Sequence, residues 1–189
     1  MCKLPSVIFT ETKLRGAFIL DLDRREDERG FFARTFCAEE FKAHGLNPRF
    51  VQCSLSFTKR KGTLRGMHWQ SPPRAESKLI RCGRGAIHDV IIDLRPHSET
   101  FQQHIAVELT AENRRSLYVP EGFAHGFQTL VDEAEVVYQM SEFYSAEATQ
   151  GVRWNDPAFG IAWPLPDPLL NERDRNYPDF SGASDRRVA

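Results

Sequence analysis

No stretch of the 189-residue sequence is apolar for long enough to span a bilayer, and no signal-type apolar core opens it. Basic and acidic side chains nearly cancel, 25 against 26, so no excess of one sign is available to attract nucleic acid or an anionic membrane. Cysteine is scarce. Cys2, Cys37, Cys53 and Cys82 include no C-x-x-C pair, which argues against thiolate zinc sites and a dense disulfide framework. Internal repeats and low-complexity tracts are also missing. These absences predict a soluble, cytoplasmic protein with free thiols and no nucleic-acid or membrane partner. Any anion binding must then be local.

What is present reads mainly as strand. The chain is 41% hydrophobic and long enough for one well-buried core, so a single domain over 1–189 is expected, with 181–189 as a loose tail. β-Branched and aromatic residues cluster in "AIHDVIIDLRP" from Ala86 to Pro96, and in 104–109, 116–120, 125–131 and 135–144, with turn residues between them. Short strands in close succession predict a mainly β sandwich or barrel. One helix is expected, in "AEEFKAHG", where Ala38, Phe41 and Lys42 can share a face and Gly45 supplies a stop. After Trp163 a Pro-rich and then charged segment reads as chain laid over the body.

Histidines in such a barrel raise the possibility of a metal. "PEGFAH" sets Pro120, Gly122 and His125 at a spacing used by metal-binding jelly rolls, but His68 is followed by Trp69 and Gln70, so the close histidine pair of such sites is missing. No metal is expected. The remaining candidates are acid–base groups: Arg65 and His68 in "GTLRGMHWQ", read as one loop, with Lys78, His125, Tyr138 and Asp174. Singly each has a plain structural explanation, such as a snorkelling lysine or a turn aspartate.

The stretches "REDERGFFARTF", "GTLRGMHWQ", "KLIRC", "LTAENRRSLYVPEGFAHGFQTL", "GVRWNDPAFGIAWP" and "NERDRNYP" occur in one order along most of the chain. In these the sequence resembles the dTDP-4-dehydrorhamnose 3,5-epimerases. The resemblance implies a dimeric, metal-free jelly roll without a cofactor, acting on a nucleotide-diphosphate 4-keto-6-deoxy sugar. It also implies roles. His68 would be the general base, oriented by Asp174; Lys78 would stabilise the enolate, and Tyr138 would return a proton from the opposite face. Arg29 and Arg65 would hold the diphosphate, Gln52 and His125 would bind substrate, and Phe143 and Tyr144 stand where the family stacks an aromatic on the base.

Two departures cluster at the nucleoside end. Arg34 stands where a Glu is usual, and Cys53 and Ser54 follow Gln52 where the family reads Gln-x-Asn. They leave the nucleotide open. Alternatives are therefore a 3-only or 5-only epimerase on a CDP- or GDP-linked sugar, a metal-dependent cupin oxygenase, or a sugar-binding jelly roll without catalysis.

Overall fold

The computed structural model describes residues 6–181. Two antiparallel sheets face each other as a cupin-like jelly roll. The six-stranded sheet runs β1 (Val7–Glu11), β2 (Phe18–Leu22), β10 (Ser116–Val119), β7 (Lys78–Arg84), β12 (Ala134–Met140) and β5 (Gln52–Thr58). The five-stranded sheet runs β13 (Thr149–Gly151), β6 (Leu64–Gln70), β11 (Phe123–Thr129), β8 (Ala86–Asp93) and β9 (His104–Thr110). A small hairpin, β3 (Arg25–Asp27) with β4 (Gly30–Phe32), stands apart from both.

The burial of β8 explains why its sequence is nearly continuous in apolar residues. Ile87 and Ile91 face the other sheet and join Ile80, Leu117 and Phe127 in the inter-sheet core. Val90 and Ile92 face the opposite way, where Phe159 and Phe180 of the C-terminal segment cover them with Met67 and Trp69. A strand covered on both faces loses the alternation of a half-exposed one. The chain on either side of the Pro-rich segment thus covers the second face of the sheet, and the segment itself is laid on the body through Leu165, bonded to Gln128, and Leu169, bonded to Gly62 and Leu64, as expected. Burying each of these large side chains contributes about 1.5–3 kcal/mol.

The expected strands stand with shifted ends. The first stops at Asp93, before Pro96, and the last stops at Met140 rather than 144. α1 (Ala38–Ala43) forms as expected and Gly45 follows it at φ +71°, but only Phe41 of the expected face is buried; Ala38 and Lys42 are exposed. Phe41 packs beneath β1 and β2 with Phe18, Leu20 and Tyr118. A second, short helix, α2 (Glu172–Arg175), had no counterpart in the sequence reading. Cys37, Cys53 and Cys82 are free thiols. Cys2 and all of the expected loose tail except Ser181 lie outside the described residues.

Candidate functional site

"GTLRGMHWQ" is not a loop. Its residues 64–70 form β6, hydrogen-bonded to β11 on one side and β13 on the other. Residues three apart on a regular strand point to opposite faces. Here His68 pairs with His125 and Arg65 with Phe127, so β6 spends one residue more than β11 over the same interval. That bulge turns Arg65 and His68 toward the same cavity. Gly66 permits it. Its φ is +136°, and a Cβ there would lie 2.5 Å from the Gly126 Cα.

The cavity, about 250 Å³, is lined by Arg65, His68, Lys78, His125, Tyr138 and Asp174, together with Phe127 and Asn171. Six residues expected to act together are brought together. It adjoins a second space of about 230 Å³, bounded by the same His68, Lys78 and Tyr138 and opening past Gln52, Glu76, Tyr144, Thr149 and Arg173. A larger hollow of about 550 Å³ lies near Lys13, Arg15 and residues 95–100, but among the described residues its His97 and Glu99 form no ion pair, and its Arg95 is engaged by Asp93.

His68 Nε2 is 2.7 Å from Asp174 Oδ1, and the Gly66 N–H donates to Oδ2 at 3.1 Å. Asp174 is 1% exposed. Burial pushes its carboxyl up, but hydrogen bonds from His68 and Gly66 and the charges of His68 and Arg173 outweigh this and hold it below its ordinary value. With Nε2 committed to Asp174, Nδ1 is the ring nitrogen left to exchange a proton with a ligand. α2 presents Asp174 because Asn171 caps it, its Oδ1 accepting from the Asp174 N–H at 2.7 Å.

A second pair stands beside the first. His125 Nε2 is 2.7 Å from Asp89 Oδ1, and both side chains are buried. Tyr138 packs edge-on to His125 with ring centroids 6.1 Å apart. Burial raises the Tyr138 hydroxyl far above its ordinary value, Asp89 raises it further, and Arg65 pulls the other way.

Some expected ligands stand elsewhere. Arg29 is at the exposed tip of the β3–β4 hairpin, paired with Asp27, and lines neither cavity. Phe143 and Tyr144 lie beyond the end of β12, not on it, and are 52% and 62% exposed, so neither is core. Tyr144 borders the mouth, its N–H donating to Gln52 Oε1 at 2.6 Å; Phe143 does not line it. Arg34 is bound to Glu40 of α1.

Glu76, Asp89, Asn171, Arg173 and Tyr177 were not found from the sequence. Asp89 had a signal, a charge between Ile87 and Ile91 on the inward face of a buried strand. Asn171 had one too, the N-x-x-D spacing of a helix cap. Among the described residues, no three His, Cys, Asp or Glu side chains are grouped as metal ligands.

The family model for dTDP-4-dehydrorhamnose 3,5-epimerase matches residues 11–182. The chain belongs to that family. A dTDP-4-dehydrorhamnose 3,5-epimerase of Shigella flexneri is 43% identical over 182 residues, covering 96% of this chain and 94% of its own. The family's Bacillus anthracis structure, with TDP and PPi bound, superposes with a TM-score of 0.89 at 42% identity, over 93% of this chain and all of that one. A 3'-monoepimerase from Streptomyces bikiniensis in complex with dTDP-quinovose has a TM-score of 0.82 at 34% identity, over 89% of this chain and 85% of that one.

Proposed function

We propose that this chain inverts C3 and C5 of a dTDP-linked 4-keto-6-deoxy hexose by way of enolates. The observation that carries the reading is the His68–Asp174 pair set on one cavity with Lys78 and Tyr138. A hydrogen on a carbon beside a ketone is acidic because the resulting carbanion is an enolate. His68 Nδ1 takes that proton, and Asp174 holds the ring and stabilises the imidazolium. The Lys78 ammonium meets the C4 oxygen as it becomes negative. Tyr138 gives a proton to the opposite face of the carbon, and its burial, which disfavours the phenolate, favours reprotonation from solvent. Solvent then restores both groups.

Arg65 supplies a diphosphate anchor beside the sugar, and Arg173 stands at the mouth where a diphosphate enters. Gln52, His125 and Tyr144 complete the binding set. Free thiols suit a reducing cytoplasm.

We also propose a homodimer. β1 is the edge of its sheet and Ile8 on it is 48% exposed, while Leu55, Phe57 and Val137 form an exposed apolar group on β5 and β12. Arg29 reaches a diphosphate in this arrangement if the hairpin of one copy lies over the cavity of the other.

A second reading, inversion at one carbon only, is favoured by the monoepimerase among the similar structures. Incubation with dTDP-4-keto-6-deoxyglucose in heavy water separates the two. Two deuterons, one each at C3 and C5, are expected; one deuteron at long times indicates a single-site epimerase, and none overturns the epimerase reading.

A further inference from the structure

Glu76 lies two residues before Lys78, the first residue of β7, and both side chains line the cavity that holds His68 and Tyr138. Lys78 Nζ is 3.1 Å from Glu76 Oε1, and the two side chains are 12% and 11% exposed. The backbone between them is pinned. The Ser77 N–H donates to Ser141 Oγ at 2.8 Å, and the Ser141 N–H donates to the Ser77 carbonyl at 3.0 Å. Glu76 therefore has a fixed base from which to hold its neighbour.

The walls of the cavity are rich in cations: Arg65, Arg173 and Lys78, with two histidines. Its carboxylates are distributed one to a partner, Asp174 to His68, Asp89 to His125 and Glu76 to Lys78. Among the described residues Glu76 is the one polar partner of the Lys78 ammonium. A lysine has a flexible four-carbon stem and three donors, so an untethered ammonium would choose among several positions. The ion pair with Glu76 fixes the stem and leaves N–H donors for a ligand. An ammonium left without a counter-charge in the same partly dry space as two guanidiniums is costly, and the carboxylate offsets that cost.

We propose that Glu76 is a positioning residue for the epimerase reaction, holding the Lys78 ammonium in place where the sugar C4 oxygen gains negative charge. The inference rests on the epimerase reading above. It assigns Glu76 an effect on the transition state rather than on nucleotide binding, because a donor set in place beforehand needs no reorganisation as the enolate forms.

The test is Glu76→Gln, which keeps the shape and removes the charge. Solvent-deuterium exchange into dTDP-4-keto-6-deoxyglucose gives kcat and KM, and the rate of reductive methylation at Lys78, read by peptide mass, gives the exposure of its amine. In the Gln variant kcat falls about 10- to 100-fold with KM within about two-fold of wild type. Methylation of Lys78 accelerates several-fold, and Glu76→Asp restores part of both. Wild-type exchange with an unchanged kcat in Glu76→Gln, a loss confined to KM, or unchanged methylation overturns the role of Glu76 alone. Absence of exchange in the wild type overturns the epimerase reading and this role with it.

Discussion

Arg65 and His68 stand three residues apart on one strand and line the same cavity, because a bulge at Gly66 gives β6 one residue more than β11 between the His68–His125 and Arg65–Phe127 pairs. The close approach of two glycines makes room for it. A Cβ on Gly126 would lie 2.6 Å from Met67 Sδ and 2.8 Å from the Arg65 carbonyl oxygen. Gly126→Ala should therefore destabilise the protein by about 1–3 kcal/mol, the usual range for overpacking, and lower activity more than binding of free dTDP. Denaturant unfolding together with kinetics checks this; wild-type values in both would show that the bulge tolerates a methyl group.

Gly151 pairs with His68 across β13 and β6, and a Cβ on it would lie 2.3 Å from Tyr177 Cζ. Tyr177 in turn stands edge-on to the His68 ring, centroids 5.6 Å apart. Gly151→Ala must displace the Tyr177 ring, which stands three residues after Asp174 and against His68. A drop in kcat of about 10-fold or more is expected, as for a misplaced general base. A variant with unaltered kcat would mean that Tyr177 moves without disturbing His68.

Asp174 is held below its ordinary value in the fold. A depressed carboxyl contributes stability above its unfolded value, about pH 3.9, and loses it as pH falls through the folded value. The stability advantage of wild type over Asp174→Asn should be full at neutral pH and shrink on acidification below about pH 4. Thermal unfolding across pH 2 to 7 measures it, and a gap independent of pH would contradict the assignment. The same variant should lose about 10²- to 10⁴-fold in kcat, comparable to His68→Asn.

Tyr138→Phe separates proton removal from proton return. Exchange of C3 or C5 hydrogens through His68 should persist while inverted product falls by about 10²-fold or more. If one centre still inverts normally, Tyr138 serves only the other. Loss of all exchange would reverse the roles of acid and base.

Arg65 Nε is 3.3 Å from Thr58 Oγ1, and no carboxylate among the described residues engages its guanidinium. Diphosphate contacts are made about equally in ground and transition states, so Arg65→Ala should chiefly raise KM. Arg65→Lys should recover only part, since a point charge lacks the fork. An unchanged KM would make Arg65 structural.

Much of this protein is legible in its sequence because β-strand periodicity and motif chemistry are local. His68, Lys78, Tyr138 and Asp174 stand out as candidates through the motifs shared with the family, and the order of short strands and the helix ended by Gly45 follow from residues close together in the chain. The meeting of His68 and Asp174, 106 residues apart, does not. Strand register and the cap on α2 bring it about, and both depend on pairing between distant segments. The shared direction of Arg65 and His68 is likewise a property of two strands compared, since a bulge exists only relative to a partner. Tertiary structure also decided which arginines reach the cavity: Arg65 lines it, whereas Arg29 and Arg34 stay with carboxylates close to them in sequence, Asp27 and Glu40, because a guanidinium takes the anion within its reach.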